Sequence, residues 1–164
     1  FHYIVYGGTV FVIFASIYHW YPKVTGRLLN EGIGRLHFLL TFVGFNLCFA
    51  PQHWLGLNGM PRRVAEYDPQ FAFINQLSSA GALLMAISTL PFLWNVVASA
   101  FRGEPAGDNP WRALTPEWLT TSPPPVENWH GEAPLVQEPY GYGIPEDQID
   151  LEAASGRDLW SSGK

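Results

Sequence analysis

Cysteine is nearly absent from this sequence, in which Cys48 is the single one among 164 residues. A disulfide framework needs pairs of cysteines and a thiolate metal site needs several of them, so this chain can build neither. Cys48 lies inside an apolar run, where we expect it to fill space as a small apolar side chain.

Charged side chains are also scarce over the first 102 residues, which carry six basic and three acidic groups. The remainder carries three basic and eleven acidic groups, so a segment of net charge +3 joins one of −8 and the whole chain has −5. An apolar, slightly basic segment is thus followed by an acidic tail. No nucleic acid is expected among the partners of such a chain.

A secretory leader is lacking as well, because no basic stretch precedes a short apolar core and a small-residue cleavage site. The chain begins at Phe1 rather than at methionine. We therefore expect it to be a fragment cut from a longer protein.

Long apolar runs, by contrast, are present three times, at about 1–21, 36–57 and 71–101. A helix needs roughly 20 residues to cross about 30 Å of hydrocarbon, so each run is long enough to span a bilayer. The connections between the runs are short, which makes neighbouring helices antiparallel. The sequence predicts an all-α, integral membrane helical bundle fragment with three transmembrane helices and an irregular, proline-rich C-terminal tail.

The domain division that follows is 1–102 for the membrane part and 103–164 for an acidic extramembrane tail. The tail holds nine of the fourteen prolines, which prevents long helices there. We expect residues 110–130 to lie as extended chain on the same subunit or a partner, and residues 145–164 to be disordered. The first connection has three basic residues and the second has two, which favours a cytoplasmic tail.

Polar side chains inside the predicted spans require partners, because unpaired polar groups are costly in hydrocarbon and ionisable ones mark functional sites. The three helices are therefore expected to form part of a larger bundle with an interior site. Hydrogen bonds between helices, rather than a proton path, are the interpretation for Asn75, Gln76, Ser78 and Ser79. His19 and His37 are interpreted as structural.

The antiparallel arrangement puts His2 and the Arg62-Arg63 pair on the same side of the bundle. A neutral imidazole is a good axial ligand for heme iron, and adjacent guanidiniums at a membrane boundary suit carboxylates. A heme could bind both: its iron would bind the imidazole, and its propionates would bind the guanidiniums. The residues alone leave two alternatives open, a structural histidine with hydrogen bonds and an arginine pair that anchors lipid headgroups.

Several stretches together resemble subunit I of cytochrome c oxidase, in the heme–copper terminal oxidase family, at its last helices and tail. The most specific stretch reads P-Q-H-W-L-G-L-N-G-M-P-R-R at 51–63. The others are F-H-Y at 1–3, H-W-Y-P-K-V-T-G at 19–26, L-H-F at 36–38, E-W at 117–118 and S-P-P-P at 122–125. The resemblance covers about residues 1–130, and the branch it indicates is bacterial, of cyanobacterial type.

The resemblance implies roles for six residues. His2 is an axial ligand of the low-spin heme iron, and Arg62 and Arg63 bind heme propionates. Phe1 lies between two heme-ligand positions. Gln52 and His53 lie beside the arginines and support the heme site, with structural hydrogen bonding as the alternative.

The resemblance also implies the activity of the whole protein: reduction of dioxygen to water with electrons from cytochrome c or a similar soluble donor, coupled to proton pumping. Its cofactors are low-spin and high-spin heme, of heme A type, and copper B, whose ligands are not in this chain. Alone, the fragment is expected to be inactive. The alternatives are a quinol oxidase of the same superfamily and a non-catalytic membrane bundle.

The partners and location implied are those of a respiratory oxidase. They are the rest of subunit I, subunits II and III, the soluble electron donor and the lipid bilayer. The protein is expected to be a multi-pass component of the bacterial plasma membrane, or of the thylakoid membrane for a cyanobacterial protein, with a cytoplasmic tail.

Overall fold

The computed structural model describes residues 1–113, 115–129 and 131. These residues form helices and irregular segments with one isolated β-bridge and no strand, which confirms the all-α prediction. The disorder predicted for residues 145–164 lies outside the described residues.

The first span consists of α1 (His2–Val5), a π-helical turn (Tyr6–Val10) and α2 (Phe11–Thr25). Together they form an apolar stretch of 24 residues, long enough to cross a membrane. The helix continues beyond the predicted end near residue 21. Pro22 lies within it and does not break it. It ends instead at Gly26, which has a positive φ of 71° and donates its N–H to the Pro22 carbonyl at 2.7 Å.

The second span is α3 (Glu31–Leu57), which begins before the apolar run that predicted it. Asn30 is its N-cap, and its side-chain oxygen accepts a hydrogen bond from the Ile33 N–H at 3.0 Å. The first turn also carries the Glu31–Arg35 ion pair at 3.4 Å. Charged residues therefore belong to the helix although hydropathy alone assigns them to the connection.

The third span is α4 (Ala72–Arg102), preceded by a 3₁₀ turn at Pro69–Phe71. Asp68 caps this turn by accepting the Gln70 N–H at 3.0 Å. All three predicted spans are thus present as helices long and apolar enough to cross a membrane.

The chain forms two compact units, of which the first combines Phe1–Ser16 with Asn30–Ala98. The second combines Ile17–Leu29 with the described residues from Ser99 to 131. These units are defined by contacts within the chain. The predicted division at residue 102 separates residues inside the membrane from residues outside it, and it stays a prediction.

Antiparallel packing in the first unit is fixed by pairs of contacts along each helix. The Tyr3 hydroxyl donates to Asn46 Oδ1 at 2.6 Å, and the Phe14 ring lies 4.5 Å from the His37 ring. Residues that increase in number along the first span therefore meet residues that decrease along α3, as the short connections predicted.

Helices α3 and α4 approach closely at two glycines. A Cβ atom added to Gly81 would lie 2.6 Å from the backbone carbon of Leu47, and one added to Gly44 would lie 2.9 Å from the backbone nitrogen of Met85. Such backbone-to-backbone contact is possible only where side chains are absent.

Buried hydroxyls join the same two helices. Thr41 donates to Ser88 Oγ at 2.8 Å, and Ser78 donates to the Cys48 carbonyl at 2.6 Å. Ser78 therefore bonds between helices as predicted, whereas Ser79 donates within its own helix to the Asn75 carbonyl at 2.9 Å. A helical hydroxyl can always use the carbonyl four residues earlier, and sequence pattern does not distinguish the two choices.

Asn95, which is fully buried, secures the start of α3. Its Oδ1 accepts the Asn30 N–H at 2.9 Å and its Nδ2 donates to the Asn30 carbonyl at 3.0 Å. The amide thus pairs with both backbone groups of the residue that caps the helix.

The variant Asn95→Ala in the full-length protein should lose about 2 kcal/mol of unfolding free energy, because the fully buried amide makes two hydrogen bonds to the Asn30 backbone that alanine cannot make. The midpoint of thermal unfolding measures the loss. Thr89→Ala, which removes an exposed hydroxyl bonded within its own helix, is the matched control and should have little effect. Equal midpoints for the two variants would contradict the role assigned to Asn95.

Candidate functional site

His2 lies in the first turn of the first span with an exposed side chain. Its ring stacks on Phe49 of α3, with centroids 5.8 Å apart and planes within 3°, and Phe1 meets it edge-on at 5.3 Å. Among the described residues, no group forms a hydrogen bond with either ring nitrogen. Aromatic contacts therefore orient an imidazole whose nitrogens are free to bind a metal.

Arg62 and Arg63 lie in the exposed connection that follows α3. The turn begins where the Met60 N–H reaches back to the Leu55 carbonyl at 3.0 Å, with Gly59 at a positive φ of 84°. Arg63 also has a left-handed backbone, with φ of 62°, which is uncommon for a residue with a side chain.

Neither guanidinium has a carboxylate within ion-pair distance in the part of the chain that the structure describes. The ion pair of α3, between Glu31 and Arg35, lies at the other end of that helix. Two adjacent charges, always protonated, are thus available to an anionic group.

The contacts of α3 place His2 and the arginine pair at the same end of the first unit. The His2 ring packs on Phe49, and the Tyr3 ring meets His53 at 5.2 Å, one turn before α3 ends. This is the juxtaposition that the antiparallel topology predicted. An imidazole with free nitrogens and two unpaired guanidiniums at one end of a bundle fit an iron and the propionates of a heme.

Gln52 and His53 both have partners within the bundle. Gln52 Nε2 donates to Ser78 Oγ at 2.7 Å, and His53 Nδ1 lies 3.2 Å from the Phe49 carbonyl. These bonds match the structural alternative and leave support of a heme site as a prediction.

The residues predicted from the sequence do not include Phe49, although its ring is the one on which the His2 ring stacks. A signal existed, since Phe45, Phe49 and His53 recur at intervals of four and so share one face of α3. Tyr3 contacts the first and last of these residues, at 4.7 Å and 5.2 Å, and His2 contacts the middle one.

The remaining histidines of the described chain pack against aromatic rings. His37 is buried between Phe14 and Phe92, at 4.5 Å and 5.0 Å. His19 stacks on Trp111 at 5.9 Å. Within the described residues, no group of three His, Cys, Asp or Glu side chains comes together as a metal site.

Comparison with known proteins identifies the family. The family described as "Cytochrome C and Quinol oxidase polypeptide I" matches residues 1–84. The chain is 54% identical over 152 residues to cytochrome c oxidase subunit 1 of Synechocystis sp., which covers 93% of this chain and 28% of that protein. It is also 54% identical over 148 residues to the subunit 1 of Thermostichus vulcanus, which covers 90% of this chain and 27% of that protein.

A more distant relative is the probable cytochrome c oxidase subunit 1-beta of Nocardia farcinica, 48% identical over 166 residues, 96% of this chain and 28% of that protein. The chain thus spans less than a third of the length of these relatives. The resemblance to subunit I is confirmed, and the matched relatives include cyanobacterial proteins. This chain belongs to the cytochrome c and quinol oxidase polypeptide I family.

Proposed function

We propose that the full-length protein is the catalytic subunit of a respiratory terminal oxidase that reduces dioxygen to water with electrons from cytochrome c and pumps protons. The observation that carries this proposal is the free imidazole of His2 at the same end as two unpaired arginines. The names of the relatives, which are cytochrome c oxidase subunits, support cytochrome c over quinol as the donor.

In this proposal His2 would bind the iron of the low-spin heme, which would supply a reversible one-electron step when bound. Phe49 and Phe1 hold the imidazole plane, and Phe1 would lie between the two heme-ligand positions. Because the ring is fixed by packing rather than by a hydrogen bond, its nitrogens do not have to give up a protein partner in order to bind.

Arg62 and Arg63 in turn neutralise heme propionates. A carboxylate near the low-dielectric interior is costly unless a cation accompanies it, and a guanidinium can bind it through two parallel hydrogen bonds. Gln52 and His53 keep α3 in position beside them. Other parts of the protein would supply the ligands of the high-spin heme, of heme A type, and of copper B.

The setting proposed is a multi-pass position in the bacterial plasma membrane or a thylakoid membrane. Other helices of the same subunit cover the site, subunits II and III assemble around it, and the tail lies on the cytoplasmic side. The larger number of basic residues around the first connection, three against two in the second, agrees with this orientation.

Oxygen uptake by the purified full-length protein in its complex tests the activity. Ferrocytochrome c should sustain cyanide-sensitive uptake. When the complex is reconstituted in closed vesicles, protons should also be released on the side of the donor, although the reduction of dioxygen to water itself only consumes protons. Uptake with quinol alone would replace the proposal by the quinol oxidase alternative. No uptake with either donor, from a complex that contains heme, would favour a non-catalytic bundle.

The variants Arg62→Gln and Arg63→Gln should each lower the midpoint potential of a heme, because a nearby cation favours the reduced iron. We expect a shift of the order of 60 mV, which corresponds to a tenfold change in a one-electron equilibrium. Spectroelectrochemical titration measures it. Arg35→Gln removes an exposed charge at the other end of α3 and should leave the potential unchanged. Equal shifts in all three variants would exclude a local role.

A further inference from the structure

The second unit contains a segment of the tail, here named the strap (103–113 and 115–129), packed against Ile17–Leu29. Three hydrogen bonds tie the beginning of the strap to the connection that directly follows the first span. They are Leu28 N–H to the Glu104 carbonyl at 2.8 Å, Ala106 N–H to the Gly26 carbonyl at 3.0 Å, and Arg27 Nη1 to the Gly103 carbonyl at 2.8 Å.

Lys23 is buried beneath the strap, with 6% of its surface exposed. Its ammonium donates to the carbonyl of Asp108 at 2.9 Å, to that of Thr120 at 2.7 Å and to that of Thr121 at 3.4 Å. An ammonium has three donors, so these three carbonyls can satisfy all of them.

An aromatic face completes the surroundings of this ammonium. The Trp118 ring is 1% exposed, and Lys23 Nζ lies over it at 5.0 Å from the centroid. Indole is the side chain that attracts cations best through its face. Burial disfavours the charged form of Lys23, and the nearby carboxylates of Asp108 and Glu117 favour it.

The carbonyls come from two separated stretches of the strap, at 108 and at 120–121. One ammonium on the first span therefore holds both stretches together. Burial of an unpaired charge is prohibitive, so these oxygens and the indole face must be in place when Lys23 is covered.

We propose that three strap carbonyls and the Trp118 indole form a cation-binding site, and that the ammonium of Lys23, which is attached to the first span, is the cation it binds. Strap and site form together, and the docked strap depends on the positive charge of Lys23 rather than on the packing of its methylene groups. Lys23 thereby acts as a latch that keeps the strap on the end of the first span.

The test removes the Lys23 ammonium by mutation and supplies a cation from solution in its place, in the full-length protein within its complex. Lys23→Ala should raise the hydrogen-exchange rate of strap amides by about tenfold or more, since bonds to a charged donor are lost. Addition of n-propylammonium, which has the atoms that the variant lacks, should restore slow exchange. The neutral analogue 1-propanol should not.

Arg35→Ala, which removes an exposed cation outside the second unit, is the matched control and should leave strap exchange unchanged. Unchanged exchange in Lys23→Ala would overturn the proposal. Equal restoration by 1-propanol would also overturn it, because packing would then suffice.

Labelling of the wild-type complex decides the matter if Lys23→Ala does not assemble. A latched ammonium should react with an amine acetylating reagent at least about tenfold more slowly than free Nα-acetyl-lysine methyl ester, because it is buried and must first lose a proton that the site holds before the amine can attack. Reaction of Lys23 at the rate of the free amine would contradict the latch.

Discussion

The low-spin heme band should disappear from the reduced-minus-oxidised spectrum when His2→Ala is introduced into the full-length protein. Alanine offers no ligand, and the ring of Phe49 that now supports the imidazole has no nitrogen to replace it. Membrane insertion should persist, because the exposed His2 side chain contributes no hydrogen bond to the packing of the first unit.

His19→Ala is the matched control for this variant. It removes an exposed histidine from the same span, at a position where the ring contacts Trp111 and Trp118 rather than the proposed heme site. Its spectrum should equal that of the wild type. A retained low-spin band in His2→Ala would remove the ligand assignment, and with it the main reason to assign propionates to Arg62 and Arg63.

The second large effect is expected at the crossing of α3 and α4, where Gly81→Ala should destabilise the full-length protein by about 1–3 kcal/mol. The added Cβ would meet the backbone of Leu47 and Cys48, which cannot rotate away as a side chain can. The two helices would have to separate, and the hydrogen bond from Ser78 to the Cys48 carbonyl would lengthen.

The midpoint of thermal unfolding measures this loss. Gly8→Ala is the matched control, because a Cβ at Gly8 meets nothing within 4 Å. There the smaller backbone entropy of alanine in the unfolded chain should leave stability equal or slightly higher. A similar midpoint for both variants would show that the close approach at Gly81 does not limit packing.

The three helices could be predicted because a long apolar run has few alternatives in a chain that must satisfy its backbone in lipid. Their ends were less predictable. Asn30 starts α3 before the apolar run begins, through a cap and a buried partner at Asn95 that lies far along the chain. Gly26 ends the first span after Pro22, where hydropathy placed the end earlier.

The part of the candidate site that follows from helix topology, namely which residues lie at the same end of the bundle, could be predicted. Short connections put His2 and the Arg62-Arg63 pair at one end before any contact was known. The stacking of the His2 imidazole on Phe49 could not be predicted, since Phe49 is one apolar residue among many in α3. The environment of Lys23 was not predictable at all, because its partners are backbone carbonyls about 85 to 98 residues away.

The most direct measurement of the central claim is a redox titration of the low-spin heme in His2→Met. Methionine keeps a side chain long enough to coordinate but replaces the imidazole by a thioether, a ligand that raises the potential of heme iron. If His2 binds the iron, the midpoint potential of the low-spin heme rises and its absorption band shifts. A potential and a band identical to those of the wild type would contradict the assignment.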